Sequence, residues 1–292
     1  MSEVLVTGGA GFIGSHLADA LVAEGNSVTV VDDLSRGRRS NIKSEVDFRE
    51  QSITEPLEDL VERSDYVYHL AALARVRPSI EDPVGYNKVN LDGTLNVLDA
   101  CRKFGKKIIF ASSSSVFGES EPPFSEEAKF DPKNPYAMQK LMGEMYIRLY
   151  NQLYGLDYTI LRYFNVYGSR QIIGGAYSTV IGIFLDQNKK GEPMTIFGDG
   201  EQRRDFTHID DVTKANLLAR NFSGEFNIGR GNNRSVNEIA DLIGGDRVNL
   251  PAVVGESRFT LCDNSKAEEV MGWIPEIDVT KEVIERLYEE AA

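Results

Sequence analysis

Eight residues near the start of the chain, Thr7-Gly8-Gly9-Ala10-Gly11-Phe12-Ile13-Gly14, constrain its fold more tightly than any other segment. They follow a short apolar run of strand composition, Val4–Thr7. They open a stretch in which Ile13, Leu17, Ala20 and Leu21 recur on one face of a helix that Gly25 is placed to end. Gly8 permits a tight turn, Gly11 lets a pyrophosphate approach the backbone, and Gly14 lets helix and strand pack closely. Free amides at the helix start favour that anion, with Phe12 and Ile13 in the same cradle. A second strand-like run, Val28–Val31, leads to Asp32, 18 residues beyond Gly14. A carboxylate there accepts hydrogen bonds from a ribose and repels a 2′-phosphate, so the pattern predicts NAD rather than NADP. Arg36, Arg38 and Arg39 follow closely and read as a solvated basic loop, not as a clamp for that phosphate.

The first half keeps this rhythm. Tyr66–Leu70, Lys107–Ala111 and Tyr158–Leu161 are strand-like, and Leu91, Leu95, Leu98 and Cys101 mark a helix that ends near Gly105. Such alternation predicts an α/β protein with a Rossmann-type, doubly wound parallel sheet. After Arg162 the pattern loosens, punctuated by Gly174-Gly175, Gly191, Gly198-Asp199-Gly200 and Gly229-Arg230-Gly231. The expected division is an NAD-binding domain over 1–164 and a smaller, partly interleaved α/β substrate lobe over 165–292. That boundary is soft, because later strands can rejoin the large sheet.

The 292 residues include 45 acidic and 32 basic side chains, a net charge of −13, which argues against a general nucleic-acid binder or a partner of anionic membranes. No apolar run approaches the roughly 20 residues that span a bilayer. The start, Glu3-Val4-Leu5-Val6-Thr7, has neither the basic flank nor the apolar core of a signal peptide. Cys101 and Cys262 lie in no paired motif and read as reduced packing thiols, so a cytoplasmic protein is expected. His16, His69 and His208 are not at ligand spacing, and no metal site is expected.

Chemistry concentrates further on. Ser112-Ser113-Ser114-Ser115 closes the strand-like run after Lys107, and Pro135-Tyr136-Ala137-Met138-Gln139-Lys140 then opens a helix. Tyr136 and Lys140 are four apart and share a helix face. A phenol of pKa near 10 is a poor base at neutral pH, but an adjacent ammonium and a positive nicotinamide ring favour its phenolate. A serine at the strand end can share the substrate proton. Taken singly, either feature is common on ordinary helices and strands; following a dinucleotide-binding turn in this order, the set points to chemistry. A serine hydrolase is set aside, because no GxSxG elbow is present.

With TGGAGFIG, HLAA at His69–Ala72, SSSSVFG, PYAMQK, RYFNVYG at Arg162–Gly168, GDGEQRRDF at Gly198–Phe206 and DNSKA at Asp263–Ala267, the chain resembles the extended short-chain dehydrogenase/reductases of the nucleotide-sugar 4-epimerase group. The resemblance runs from Val4 to about Trp273. It implies Tyr136 as base, Lys140 as its partner and ribose ligand, and Ser113 as the catalytic serine, with Ser115 a second hydroxyl near the sugar. Ile53, Ala71, Asn90 and Tyr163 would border the cofactor, Asn165 would lie at the substrate pyrophosphate, and Arg204 at the pyrophosphate or sugar. In two places the chain departs from many relatives. Ser52 replaces an acid against the adenine, and Val253 stands near a phosphate-binding arginine, which leaves Arg258 as substitute. The chain is also short for the group, implying a trimmed lobe.

The reaction implied is NAD-dependent UDP-sugar 4-epimerisation through a transient 4-keto sugar. Dehydratases and decarboxylases of the family carry acids where this chain has Ser114 and Ser115. A UDP-glucuronate 4-epimerase stays closer but needs a carboxylate clamp that the sequence does not locate. A non-catalytic NAD sensor would have little use for both Tyr136 and Lys140. In similar 4-epimerases the residue three before the aspartate of DxSKA lies beside the sugar's 2-substituent. Here it is Thr260, small enough to admit an N-acetyl group, so UDP-GlcNAc/UDP-GalNAc are expected as substrates beside UDP-Glc/UDP-Gal. Finally, apolar residues from Met138 to Leu153 cover more of their helix than one core face needs. They predict a homodimer, and the resemblance implies that this helix and the Leu91–Cys101 helix of each subunit form its four-helix interface.

Overall fold

A computed structural model describes residues 1–173, 178–252 and 258–290. The first half alternates β1 (Glu3–Thr7), α1 (Phe12–Ala23), β2 (Ser27–Asp32), β3 (Asp47–Glu50), α2 (Glu58–Arg63), β4 (Tyr66–His69), α3 (Val76–Glu81), α4 (Pro83–Asn87), α5 (Thr94–Phe104), β5 (Lys107–Ser113), α6 (Pro135–Tyr154) and β6 (Tyr158–Tyr163). The second half contributes β7 (Val166–Tyr167), α7 (Val180–Lys189), β8 (Met194–Phe197), β9 (Arg203–Arg204), β10 (Thr207–His208), α8 (Ile209–Ala219), β11 (Gly224–Ile228), β12 (Arg234–Ser235), α9 (Val236–Ile243), β13 (Arg247–Leu250), α10 (Ser265–Met271) and α11 (Lys281–Glu290).

Seven strands form one parallel sheet in the order β11-β6-β5-β4-β1-β2-β3. Its central strands are apolar on both faces, as a sheet covered twice must be. Val4, Val6, Val28 and Val30 face Leu17 and Leu21 of α1, Ala215 of α8 and Trp273. Leu5, Val31, Ile108 and Phe110 face Leu60 of α2, Leu98 of α5 and Ile147 of α6. The order reverses direction between β1 and β4, and there the carboxyl ends of the strands open a crevice.

β11 lies beyond residue 165 yet pairs with β6, and α8 and α10 cover the same sheet face as α1. The smaller lobe keeps a core of its own, with Phe184, Ile196, Ile239 and Ile284 at its centre. Two features escape the hydrophobic pattern. Edge strand β3 has only Phe48 packed against the core. The segment before α5 winds as a π-helical turn, Lys88–Gly93, which buries Asn90.

Asn134 starts α6: its side chain accepts the Ala137 N–H at 2.9 Å, with Pro135 in the first turn. Gly155, at φ +68°, ends the helix. The helix leaves Met138, Met145, Leu149 and Leu153 exposed, a stripe with helical spacing. Among the described residues no helix is long and apolar enough to cross a membrane, and no group of three potential ligands is placed to hold a metal.

Candidate active site

The glycine turn folds back on itself so closely that side chains are excluded. A Cβ on Gly8, where φ is +70°, would stand 2.6 Å from the Ala71 nitrogen, and one on Gly14 would stand 2.3 Å from the Gly8 oxygen. Both contacts are shorter than packing allows, so the turn supplies bare backbone to a cavity of about 880 Å³ at the crevice. Gly8, Gly11, Phe12, Ile13, Gly14, Asp32, Ile53, Ala71, Lys140 and Tyr163 all line this cavity. The Asp32 carboxylate accepts the Ala10 N–H at 3.0 Å and the Leu34 N–H at 2.9 Å. Burial raises its pKa, and these backbone donors oppose that rise. Each oxygen keeps a second lone pair for a ribose hydroxyl. Arg38 and Arg39 are exposed, Arg39 lying over Phe48, whereas Arg36 borders the cavity. A cradle of bare amides with a carboxylate at the end of the next strand fits NAD.

Asn90 is placed differently from expectation. It is absent from the cavity wall, because its amide is committed behind it: Oδ1 accepts the Leu73 N–H at 2.8 Å, and Nδ2 donates to Leu73 O and to Gln139 Oε1. His69 stiffens the same loop. Its ring bridges Thr7 Oγ1 at 2.8 Å and Thr94 Oγ1 at 2.9 Å, and Thr94 Oγ1 in turn donates to Asn90 O. Tyr163 presents its ring region, while its hydroxyl donates to Asn216 Oδ1 at 2.8 Å.

At the cavity's centre, α6 meets the end of β5. Burial raises the Tyr136 pKa, and the neighbouring Ser113 side chain and Arg75 guanidinium pull it down. Lys140 Nζ donates to Ala111 O at 2.6 Å and lies 4.8 Å from the Phe110 ring centre. Burial lowers the Lys140 pKa to about 8, with Glu144 opposing. Ser115 also lines the cavity, and its buried Oγ has no partner among the described residues. A buried hydroxyl of this kind is ready for a ligand's polar group.

On the lobe side, Asn165 Nδ2 donates to Asp205 O and to Thr260 Oγ1, both at 3.2 Å, and Thr260 Oγ1 also accepts the Asp205 N–H at 3.1 Å. Asp205 accepts the Arg230, Gly231 and Cys262 N–H groups, which ties together three segments beneath the cavity. Arg204 borders the cavity, held by the Arg203 and Arg258 carbonyls. Arg258, expected at the substrate, does not line it: its exposed guanidinium grips Asp199 at 2.6 and 3.1 Å. Val253 and Gly174-Gly175 lie outside the described residues.

Residues 4–229 match the model of the NAD dependent epimerase/dehydratase family. The chain belongs to this family. NAD is its cofactor. A putative UDP-glucose 4-epimerase of Methanocaldococcus jannaschii is 44% identical, over 97% of this chain and 96% of its own length. Among solved structures, the UDP-N-acetylglucosamine 4-epimerase of Methanobrevibacter ruminantium, in complex with UDP-N-acetylmuramic acid, superposes with a TM-score of 0.94 at 36% identity, covering 99% of this chain and 98% of that one. The UDP-glucuronic acid 4-epimerase of Bacillus cereus, in complex with UDP-glucuronic acid and NAD, gives 0.92 at 33% identity, with the same coverages. Similarity therefore establishes an epimerase family and spans several sugars.

Sequence reasoning missed two parts of this family member's site. One is Arg75, a single arginine in the loop after β4 with no motif to mark it. The other is a buried ionic cluster under the serines, in which Glu144 accepts Ser112 Oγ at 2.5 Å and Arg162 Nε and Nη2 at 2.9 and 2.8 Å. Glu144 stands four residues beyond Lys140, the one signal that could have suggested it.

Proposed function

We propose that this protein is a UDP-hexose 4-epimerase that acts on UDP-glucose/UDP-galactose and on UDP-GlcNAc/UDP-GalNAc. The observation that carries the reading is the convergence of Ser113, Tyr136 and the unpartnered Ser115 hydroxyl on one cavity whose far wall is the glycine turn. Tyr136 takes the proton of the sugar's 4-hydroxyl, and Ser113 holds that oxygen in line. Bound NAD would supply the acceptor for the C4 hydride and, once the 4-keto sugar has turned over, the donor to its opposite face, so there would be no net redox change. Tyr136 then gives its proton back to O4 of the inverted sugar. Lys140 fixes the ribose, and Ser115 orients the sugar. Asn165 and Arg204, which line the cavity on the lobe side, would hold the diphosphate, whereas Arg258 is outside the lining and pairs with Asp199.

The sugar range rests on Thr260, which lines the cavity with a small side chain. Excess volume in a packed pocket costs about 1–3 kcal/mol, whereas spare room costs less, so a site that admits an N-acetyl group also accepts a hydroxyl. The exposed stripe on α6 supports a homodimer through α5 and α6, and the separate buried thiols of Cys101 and Cys262 support a cytoplasmic setting.

One experiment tests the reading. The protein with NAD is incubated separately with UDP-GlcNAc, UDP-glucose and UDP-glucuronate, and the C4 epimers are followed by NMR. Epimers of the first two are expected. A product from UDP-glucuronate alone would overturn the sugar assignment in favour of a uronate enzyme, and no C4 epimer at all would overturn the reaction.

A further inference from the structure

Arg75 occupies the residue just before α3, in the loop that leaves the end of β4, and it lines the cavity together with Ser113, Ser115 and Tyr136. The junction that holds it there is specific. Arg75 O accepts the Ser79 N–H at the start of α3, and Ser79 Oγ accepts the Tyr136 N–H at 3.2 Å. The first turns of α3 and α6 are thereby tied, and the arginine's side chain and the tyrosine's enter one space. The guanidinium interacts electrostatically with two phenols, Tyr136 and Tyr86 of α4.

We propose that Arg75 is a positioning residue for the epimerisation base, a second cation that stabilises the Tyr136 phenolate alongside Lys140. The inference rests on Tyr136 being that base. Coulomb attraction does the work: an opposite charge within about 4–6 Å lowers an acid's pKa by about 1–3 units. Lys140 is one source of that charge. Burial lowers its pKa to about 8, and its Nζ is directed to Ala111 O and the Phe110 face. Burial lowers the Arg75 pKa as well, with the Tyr136 and Tyr86 phenols opposing, but a guanidinium starts from above 12 and keeps its charge at the pH where a buried ammonium titrates.

Other charges near the start of α6 are paired or exposed. Arg77 and Lys133 border the same cavity, Arg77 paired with Glu81 and Lys133 with Asp131. Asp82 caps α4, Lys88 and Asp92 of the π-helical turn are exposed, and Glu144 is bound to Arg162 and Arg148. From elements other than its own helix, Ser113 and Arg75 are the groups that draw the Tyr136 pKa down.

The test uses the NAD-loaded enzyme and three variants. Arg75→Met keeps the length of the side chain without its charge, Arg75→Lys keeps a charge, and Tyr136→Phe removes the base. The expected result for Arg75→Met is an alkaline shift of about 1 unit in the acid limb of kcat/KM and in the tyrosinate ultraviolet titration that Tyr136→Phe abolishes. Arg75→Lys should restore most of that shift. An unmoved limb and an unmoved tyrosinate titration in Arg75→Met overturn the proposal, even if turnover falls. Full turnover by Tyr136→Phe would instead overturn the assignment of the base, so the two failures are distinguishable.

Discussion

Replacing Glu144 should be the most damaging single change that leaves every cavity-lining residue in place. The Glu144 and Arg162 side chains are both 0% exposed, and the one carboxylate accepts Ser112 Oγ, two Arg162 nitrogens and Arg148 Nη2. Glu225 accepts a further bond from Arg162 Nη2 and bonds from Arg148 Nη2 and Nε, while Arg162 Nη1 has no partner among the described residues. Glu144→Ala leaves Arg162 buried with half of its counter-charge gone, a situation that costs about 3–5 kcal/mol. Against a typical total stability of about 5–15 kcal/mol, that is a large fraction. Glu144→Gln keeps the volume and one acceptor, so about half that loss is expected. Urea unfolding followed by circular dichroism measures both, provided that the transition is two-state. The double variant Glu144→Gln/Arg162→Met removes the stranded charge and should regain stability relative to the sum of the single losses. A loss below about 1 kcal/mol in Glu144→Ala, or simple additivity in the double variant, would refute the cluster as an interdependent buried unit.

Three further outcomes are expected. Thr260→Tyr should abolish turnover of UDP-GlcNAc and reduce that of UDP-glucose, because it also removes the oxygen that accepts from Asn165 and Asp205; Thr260→Ser, which keeps that oxygen, should spare both, and equal loss of the two substrates in Thr260→Tyr would refute a gate. Asp32→Asn should weaken NAD binding by roughly tenfold, through the ribose and through the Ala10 and Leu34 amides, while narrowing discrimination against NADP; titration calorimetry showing unchanged selectivity would place the discrimination at Arg36 instead. Folding stability should respond to pH through two buried groups of opposite sign. His69 is held down to about 3, so its contribution is full above pH 6.5 and is lost as pH falls through that window. Burial pushes Asp205 up to about 6, so its contribution is full below pH 3.8 and is lost as pH rises toward 6. The two slopes oppose between about pH 4 and 6, and Asp205→Asn should expose the histidine's, up to about 1.4 kcal/mol per pH unit by denaturant titration.

Much of the fold was legible because it rests on local rules. The glycine spacing, the runs of valine and isoleucine and the Asn134–Pro135 helix start each act within a few residues. Strand β3 escaped because an edge strand buries little, and the π-helical turn because the contacts of its buried Asn90, to Leu73 and Gln139, are distant in sequence. The site divides in the same way. Tyr136 and Lys140 are one helical turn apart and announce themselves, whereas Arg75 reaches the cavity, and Glu225 and Arg162 meet, only through tertiary packing. The sequence points to Arg258 as the substitute cation, but the neighbour that claims it, Asp199, is distant in sequence.

The route of the chain also limits how such a protein can be cut and rejoined. After β6 the backbone goes out to the smaller lobe, comes back as α8 and β11, leaves again through α9, and returns once more as α10 and Trp273. A fragment ending at residue 164 would expose the β6 edge and uncover a sheet face that α8, α10 and Trp273 now shield. The two halves are stitched rather than hinged on a single thread. Sugar preference is therefore free to drift by point changes in the lobe's cavity wall, while wholesale exchange of the lobe between relatives would tear the cofactor's own sheet.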